Sequence, residues 1–113
     1  MENGKRMEQR INYSKVAPDG VENLRKLEAY LKNAGLEPEL LELVKLRASQ
    51  LNGCAFCIDM HTKDARTRGE SEQRLYGVSA WRETPFYSER ERAALAWTEA
   101  VTKIIEDQVP DAI

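Results

Sequence analysis

Apolar residues recur at helical spacing through the first half of the chain. Asp19 is a suitable N-cap and Gly35 a suitable terminator for one helix. A second helix is predicted over 38–51, because Pro38 suits a first helical position. Apolar residues surround most of this second helix, which is typical of burial on more than one side. Its narrow polar stripe consists of Glu42, Lys45, Ser49 and Asn52.

Glycines and capping residues divide the second half of the chain into further helices. Gly53 and Gly69 bound one predicted helix, and Ser88 with Glu91 forms a capping box at the start of the last one. No stretch shows the alternation of a strand, so the sequence predicts an all-α, single-domain helical bundle. The elements expected here are a helix over 54–68, a short helix over 71–76, a helical turn and loop over 79–87, and a long helix from 88 to about 107.

Length, composition and charge exclude several classes of protein. The 113 residues suffice for one modest core, with a polar N-terminal arm at 1–18 and a helical domain at 19–113. A formal net charge of -2 argues against nucleic-acid binding, which needs a clustered basic surface. No apolar run approaches the roughly 20 residues that span a bilayer. The N-terminus also lacks the apolar stretch of a secretory signal, so we expect no membrane association and a cytoplasmic location.

Two cysteines and the single histidine carry the candidate chemistry. Cys54 and Cys57 are spaced C-x-x-C, and His61 follows four residues later. The free N–H groups and positive dipole at a helix start stabilise a thiolate, which is the reactive form of cysteine. The spacing puts both sulfurs on one face, within reach of a disulfide. The imidazole on that face can exchange a proton with a thiol.

Other interpretations of the cysteine pair remain open. A structural zinc site needs four ligands, whereas this chain offers two cysteines and one histidine. Two inert buried cysteines would also fit, because free cysteine is often buried. A thioredoxin-type site is disfavoured, since it needs a βαβ context that the sequence lacks. We favour a redox-active pair on a helical scaffold, with no metal and no organic cofactor.

The surroundings of the pair resemble a known family. Eleven residues separate Glu42 from Cys54, and the run at 46–61 reads Leu-Arg-Ala-Ser-Gln-Leu-Asn-Gly-Cys-Ala-Phe-Cys-Ile-Asp-Met-His. This pattern resembles the alkylhydroperoxidase D-like branch of the carboxymuconolactone decarboxylase family. The resemblance extends from about Arg10 to the end of the chain. It implies an all-helical protein that assembles as a homo-trimer or homo-hexamer and reduces hydroperoxides through its C-x-x-C pair.

The resemblance also implies a role for each candidate residue. By position, Cys57 matches the cysteine that attacks the peroxide, and Cys54 matches the one that resolves it to a disulfide. His61 and Glu42 match the proton relay that ionises the thiol. Without the resemblance, Glu42 would be interpreted as a solvated partner of Lys45.

Two departures from the family pattern affect these expectations. Phe56 stands where some peroxidases of this branch carry a second histidine between the cysteines, so the tuning of the pair is expected to differ. The family also continues past a Val-Pro-Asp stretch, here 109–111, into a further apolar helix, whereas this sequence stops at Ile113. The apolar faces of the second and last helices would then lack a cover, which predicts association with further copies of the chain.

The sequence therefore predicts a thiol-dependent peroxidase, or thiol–disulfide oxidoreductase, that reduces hydroperoxides. A dithiol or a thiol protein would re-reduce it. One alternative is a non-catalytic or redox-sensing helical assembly protein of the same fold. Another is a decarboxylase-like enzyme of the family, which is disfavoured because the true decarboxylases lack the C-x-x-C pair.

Overall fold

The computed structural model describes residues 8–113, and every regular element in this range is helical. The all-α prediction is thus confirmed for the described part of the chain, and the first seven residues of the predicted arm lie outside it. No helix within 8–113 is long and apolar enough to cross a membrane. The elements are α1 (Tyr13–Val16), α2 (Pro18–Lys32), α3 (Pro38–Asn52), α4 (Ala55–Thr67), α5 (Glu72–Gly77), a 3-10 helix (Val78–Glu83), α6 (Glu89–Thr102) and α7 (Ile104–Asp107).

The first of two compact units ends at Gly35 and contains α1 and α2. The N-cap of α2 is Ala17 and not the predicted Asp19, because Pro18 takes the first helical position, where its missing N–H costs no hydrogen bond. Asp19 lies in the first turn, where its negative carboxylate interacts favourably with the positive end of the helix dipole. No residue of α2 is buried. Its large exposed apolar side chains are Leu24, Leu27, Tyr30 and Leu31.

The second unit, residues 36–113, is built around α3, which packs against α4 and α6. Leu43 and Leu46 of α3 and Leu95 of α6 are almost completely buried, so α3 contributes to the centre of the core. Burial of these apolar side chains is the main stabilising contribution of this unit. The buried core cluster consists of Leu43, Leu46, Ala65, Leu75, Val78, Trp81, Tyr87 and Leu95.

A left-handed turn joins α3 to α4 and sets the position of the cysteine pair. Gly53 has a φ of 66°, a conformation that glycine adopts without steric cost. The turn lets the Cys54 N–H donate to the Ser49 carbonyl at 3.1 Å. Cys54 thereby becomes the N-cap of α4, one residue before the first helical position. The C-x-x-C motif therefore lies at the N-terminus of a helix, as predicted.

Two serines begin the helices that follow, also as predicted. Ser71 caps α5 by accepting the Arg74 N–H at 3.2 Å. Ser88 and Glu91 form the expected capping box of α6, with each side chain accepting the other residue's backbone N–H. Local sequence signals determine these ends, because every partner lies within three positions of the capping residue.

The last predicted helix is interrupted, which corrects the expectation of one continuous helix to about 107. Lys103 has a φ of -108° and a ψ of 37°, which ends α6 and precedes the short α7. The residues around this break are rich in β-branched side chains, which lose rotamer freedom in a helix. They are Val101, Thr102, Ile104 and Ile105.

A half-buried arginine connects α5 to the start of α6. The Arg74 guanidinium donates to the Phe86 carbonyl at 2.7 Å and to the carboxylates of Glu70 and Glu91, while the Tyr87 hydroxyl donates to the Arg74 carbonyl. Burial alone would raise the pKa of Glu91, but the hydrogen bonds from Arg74 and Ser88 outweigh it and keep that pKa lowered. This network fixes the segment between the two helices.

Candidate active site

Cys54 and Cys57 are joined by a disulfide at the start of α4. Their Cα atoms lie 5.3 Å apart, and both residues are half-buried. Within the bridge, the Cys57 backbone N–H donates to Cys54 Sγ at 3.2 Å. The sulfur of Cys54 thus serves as the side-chain cap of α4, a place usually taken by an oxygen of serine, threonine or aspartate.

Glu42 of α3 and His61 of α4 form the second part of the site. The imidazole Nδ1 lies 3.1 Å from Glu42 Oε2, and the two side chains are 16% and 10% exposed. When Nδ1 carries the proton it donates to the carboxylate, and Nε2 is then left as a proton acceptor. Glu42 as a residue is only 7% exposed, so it is not the solvated side chain that the helix pattern alone suggests.

His61 and the cysteines share one helix, so α4 positions all three. His61 lies four residues beyond Cys57, about one turn, and seven beyond Cys54, about two turns. The carboxylate comes from the neighbouring helix, and the packing of α3 on α4 is what brings it to the imidazole. The structure therefore brings together Glu42 and His61 across two helices and holds Cys54 and Cys57 in one covalent pair.

Asp64 is a further acidic residue near this pair that the sequence did not single out. One ligand atom from each of Glu42, His61 and Asp64 lies within 4.8 Å of the others, and Asp64 is exposed. A histidine nitrogen with two carboxylates is a donor set that divalent transition metals accept. The only sequence signal for Asp64 is its position three residues after His61, on the same side of a helix. The expectation of a site without metal stays a prediction.

Two apolar side chains on α4, close in sequence to the cysteines, are exposed to solvent. Phe56, between the two cysteines, is 76% exposed, and Met60, one turn later, is 38% exposed. The two residues are four positions apart on α4 and so lie on the same side of the helix. The first turns of α4 therefore carry an exposed apolar pair of side chains.

Comparison with known proteins identifies the family. Residues 17–100 match the family model of the carboxymuconolactone decarboxylase family. The chain belongs to this family. The match includes the whole of the cysteine pair, Glu42, His61 and Asp64.

Two bacterial proteins are similar in sequence to this chain over most of its length. YdfG of Bacillus subtilis is 49% identical over 107 residues, which cover 95% of this chain and 73% of YdfG. YnjA of Escherichia coli is 34% identical over 82 residues, 73% of this chain and 44% of YnjA. The activities of both proteins are uncharacterised.

A solved structure defines the branch of the family. A protein of unknown function from Agrobacterium tumefaciens, suggested to be the antioxidant defence protein AhpD, superimposes with a TM-score of 0.87. It is 50% identical to this chain and is matched over 93% of this chain and 72% of its own. The predicted membership of the alkylhydroperoxidase D-like branch of the carboxymuconolactone decarboxylase family is confirmed.

Proposed function

We propose that this protein is a thiol-dependent peroxidase that reduces hydroperoxides through Cys54 and Cys57. The observation that carries the proposal is the pairing of a disulfide at a helix N-terminus with a carboxylate-bound imidazole on the same helix. A dithiol site and a proton relay are the two components that such a reaction requires. Membership of the AhpD-like branch supports the same chemistry.

The oxidative half of the cycle begins at Cys57. Its thiolate attacks the distal oxygen of the hydroperoxide, the O–O bond breaks, an alcohol leaves, and the sulfur becomes a sulfenic acid. Cys54 then attacks this sulfur and releases water, which forms the disulfide. In the reductive half, an external dithiol reduces the disulfide by two thiol–disulfide exchanges and is itself oxidised to a disulfide.

The Glu42–His61 pair supplies the proton transfers. The imidazole accepts the proton of the Cys57 thiol and returns one to the departing alkoxide. Glu42 orients the ring through Nδ1 and stabilises the positive charge that the ring acquires. A hydrogen bond to a charged group contributes about 1.5–3 kcal/mol to stability. The low exposure of the Glu42 and His61 side chains limits competition from water for this bond.

A redox-sensing assembly protein of the same fold is the second candidate. The observation that favours it is Phe56, an exposed apolar residue at the position between the cysteines. In that case, formation of the disulfide would change the surface of α4, and the protein would not turn over peroxide. Decarboxylation is a weaker alternative, because it gives the cysteine pair no role.

We propose that the protein acts as a homo-trimer or homo-hexamer. The support is an apolar surface in the second unit, where Trp97 is 54% exposed and Ile105 is 93% exposed. A groove of about 510 Å³ between α3 and α6 is lined mainly by apolar side chains, among them Leu40, Val44 and Trp97. Burial of such a surface in a closed symmetric assembly would remove it from water.

The need to re-reduce the disulfide supports a reducing compartment such as the cytoplasm.

Consumption of hydrogen peroxide or cumene hydroperoxide with dithiothreitol as the reductant tests the proposal. The wild-type protein is expected to consume peroxide in many turnovers, and Glu39→Gln serves as a matched control on an exposed carboxylate of α3. Glu42→Gln is expected to slow consumption by at least about tenfold, as expected for loss of a proton relay. Absence of turnover in the wild type, with the disulfide still forming and breaking, would favour redox sensing.

A further inference from the structure

We propose that Glu42, His61 and Asp64 form a binding site for a divalent first-row metal ion such as Zn²⁺, and that the bound ion reversibly inhibits the peroxidase. The inhibitory part of this inference rests on the proposed function, whereas metal binding itself does not. The peroxidase chemistry proposed above needs no metal, so the ion acts as an inhibitor and not as a cofactor.

The three residues come from two helices and combine two kinds of metal ligand. Glu42 is buried on α3, whereas His61 and Asp64 lie three positions apart on the same side of α4. One imidazole nitrogen and one oxygen of each carboxylate lie within 4.8 Å of one another. Zinc accepts both ligand types, and three protein ligands suffice where water takes the fourth position. The fold thus supplies ligands that the cysteines and the histidine alone lacked.

The separation of Glu42 from His61 already suits a shared ion. Zinc holds nitrogen and oxygen ligands at about 2.0–2.2 Å, and tetrahedral coordination then places two ligand atoms about 3.4 Å apart. Glu42 Oε2 and His61 Nδ1 are 3.1 Å apart. Asp64 is exposed, so its side chain can rotate toward this pair. Small movements of side chains are therefore sufficient to complete the site.

The charge of the cluster also favours a cation. When the imidazole is neutral, Glu42 and Asp64 place two negative charges within 4.8 Å of each other, and Glu42 is only 7% exposed. Salt screens such a partly buried pair poorly, whereas one divalent ion neutralises both charges. The nitrogen ligand favours zinc and its neighbours over Mg²⁺ and Ca²⁺, which prefer sites made of oxygen.

Metal binding removes the base of the proposed relay. If the ion binds His61 Nε2, this nitrogen has no lone pair left for the proton of the Cys57 thiol. If the ion binds Nδ1, the proton of the neutral ring lies on Nε2, which then donates and cannot accept. In both arrangements Cys57 stays a thiol, and its attack on peroxide slows because the thiolate is the nucleophile.

Titration of the oxidised, tag-free protein with Zn²⁺ tests the site without a contribution from thiols, because Cys54 and Cys57 are then joined in the disulfide. His61 is the single histidine of the chain, so ¹H–¹⁵N correlation spectra of imidazole nitrogens report on it alone. We expect saturable binding by isothermal titration calorimetry and a shift of the His61 ring signals, and neither with Mg²⁺. Absence of saturable zinc binding, or binding that leaves the His61 signals unchanged, would overturn the inference.

Asp64→Asn distinguishes this site from binding elsewhere on the surface. The residue is exposed, so the variant should fold, which circular dichroism checks. Its affinity for zinc should fall at least about tenfold, because even loss of a residue that only supports a metal ligand has an effect of this size. Asp59→Asn removes another exposed carboxylate of α4, one that pairs with Lys63, and should bind zinc as the wild type does. Equal affinity in Asp64→Asn and wild type would refute the three-residue site.

Inhibition is measured in a single turnover of pre-reduced, desalted protein, because dithiothreitol would chelate zinc. Zinc should slow the reaction with hydrogen peroxide at least about tenfold in the wild type, which is the effect expected for loss of a general base. Asp64→Asn should require more zinc for the same inhibition, each protein being compared with its own rate in EDTA. An unchanged rate at saturating zinc, or equal inhibition of both proteins through their thiols, would overturn the inhibitory part.

These outcomes separate the inference from the proposed function. The zinc titration uses no peroxide, so zinc binding through His61 in a protein that does not react with peroxide would refute the peroxidase function and support the metal site. Peroxide turnover in a protein that binds no zinc would have the opposite meaning.

Discussion

Glu42 and His61 are nineteen positions apart in sequence, yet the carboxylate of one lies 3.1 Å from the imidazole Nδ1 of the other. The contact joins α3 to α4, and both side chains are largely withdrawn from solvent. A buried carboxylate requires a partner, because burial of an unpaired charge is costly. The proposed relay gives this pair a chemical role in addition to a structural one.

The first prediction concerns this relay. Glu42→Gln and His61→Ala should each shift the alkylation of reduced Cys57 by iodoacetamide to higher pH, by about one pH unit, because the thiolate loses a nearby positive charge. The double variant should show less than the sum of the two shifts, since both substitutions interrupt one relay. Glu39→Gln should leave the profile unchanged, and unchanged profiles in both relay variants would rule out the relay.

The second prediction separates the roles of the cysteines. Cys57→Ser should abolish peroxide consumption, because it removes the attacking sulfur. Cys54→Ser should allow a single burst that stops at a sulfenic acid on Cys57, detectable with dimedone by mass spectrometry. Normal turnover by Cys57→Ser would reverse the assignment of attacking and resolving cysteine.

The third prediction concerns assembly. Sedimentation velocity at micromolar concentration should show a trimer or a hexamer, because association buries the apolar side chains of α6 and α7. Ile105→Lys should weaken this assembly without unfolding the chain, since Ile105 is 93% exposed. Circular dichroism checks the fold of the variant. A monodisperse wild-type monomer would contradict the prediction.

The fourth prediction follows from the lowered pKa of Glu91. Because the folded-state pKa lies below the unfolded value of about 4.5, the contribution of Glu91 is present above that value and disappears as the pH falls through the folded pKa. Glu91→Gln should therefore reduce the free energy of unfolding at pH 7 by about 1–2 kcal/mol. The difference from wild type should shrink toward pH 3 in urea titrations. Glu89→Gln, an exposed residue of the same first turn, is the control and should change little.

Local sequence determined much of the helical framework. Gly53, Ser71 and the capping box at Ser88 act on partners within five residues, so their patterns could be interpreted without knowledge of the fold. For the same reason, the sequence could predict that Cys54 and Cys57 lie at the start of a helix. The break at Lys103 was missed because the apolar spacing continues through it, while the backbone does not.

Tertiary packing determined whether Glu42 faces solvent or a buried partner, which the pattern of polar residues on α3 could not. A glutamate on a polar stripe is compatible with solvent or with a buried partner, and only the packing of α3 on α4 places Glu42 against His61. The approach of Asp64 to Glu42 has the same origin, whereas its proximity to His61 follows from their spacing on α4. Helical periodicity specifies which residues share a face of one helix. It contains no information about which face of another helix will meet them. The helical pattern therefore predicted the cysteine pair, whereas the pairing of Glu42 with His61 was expected only from the family resemblance and its contact required the fold.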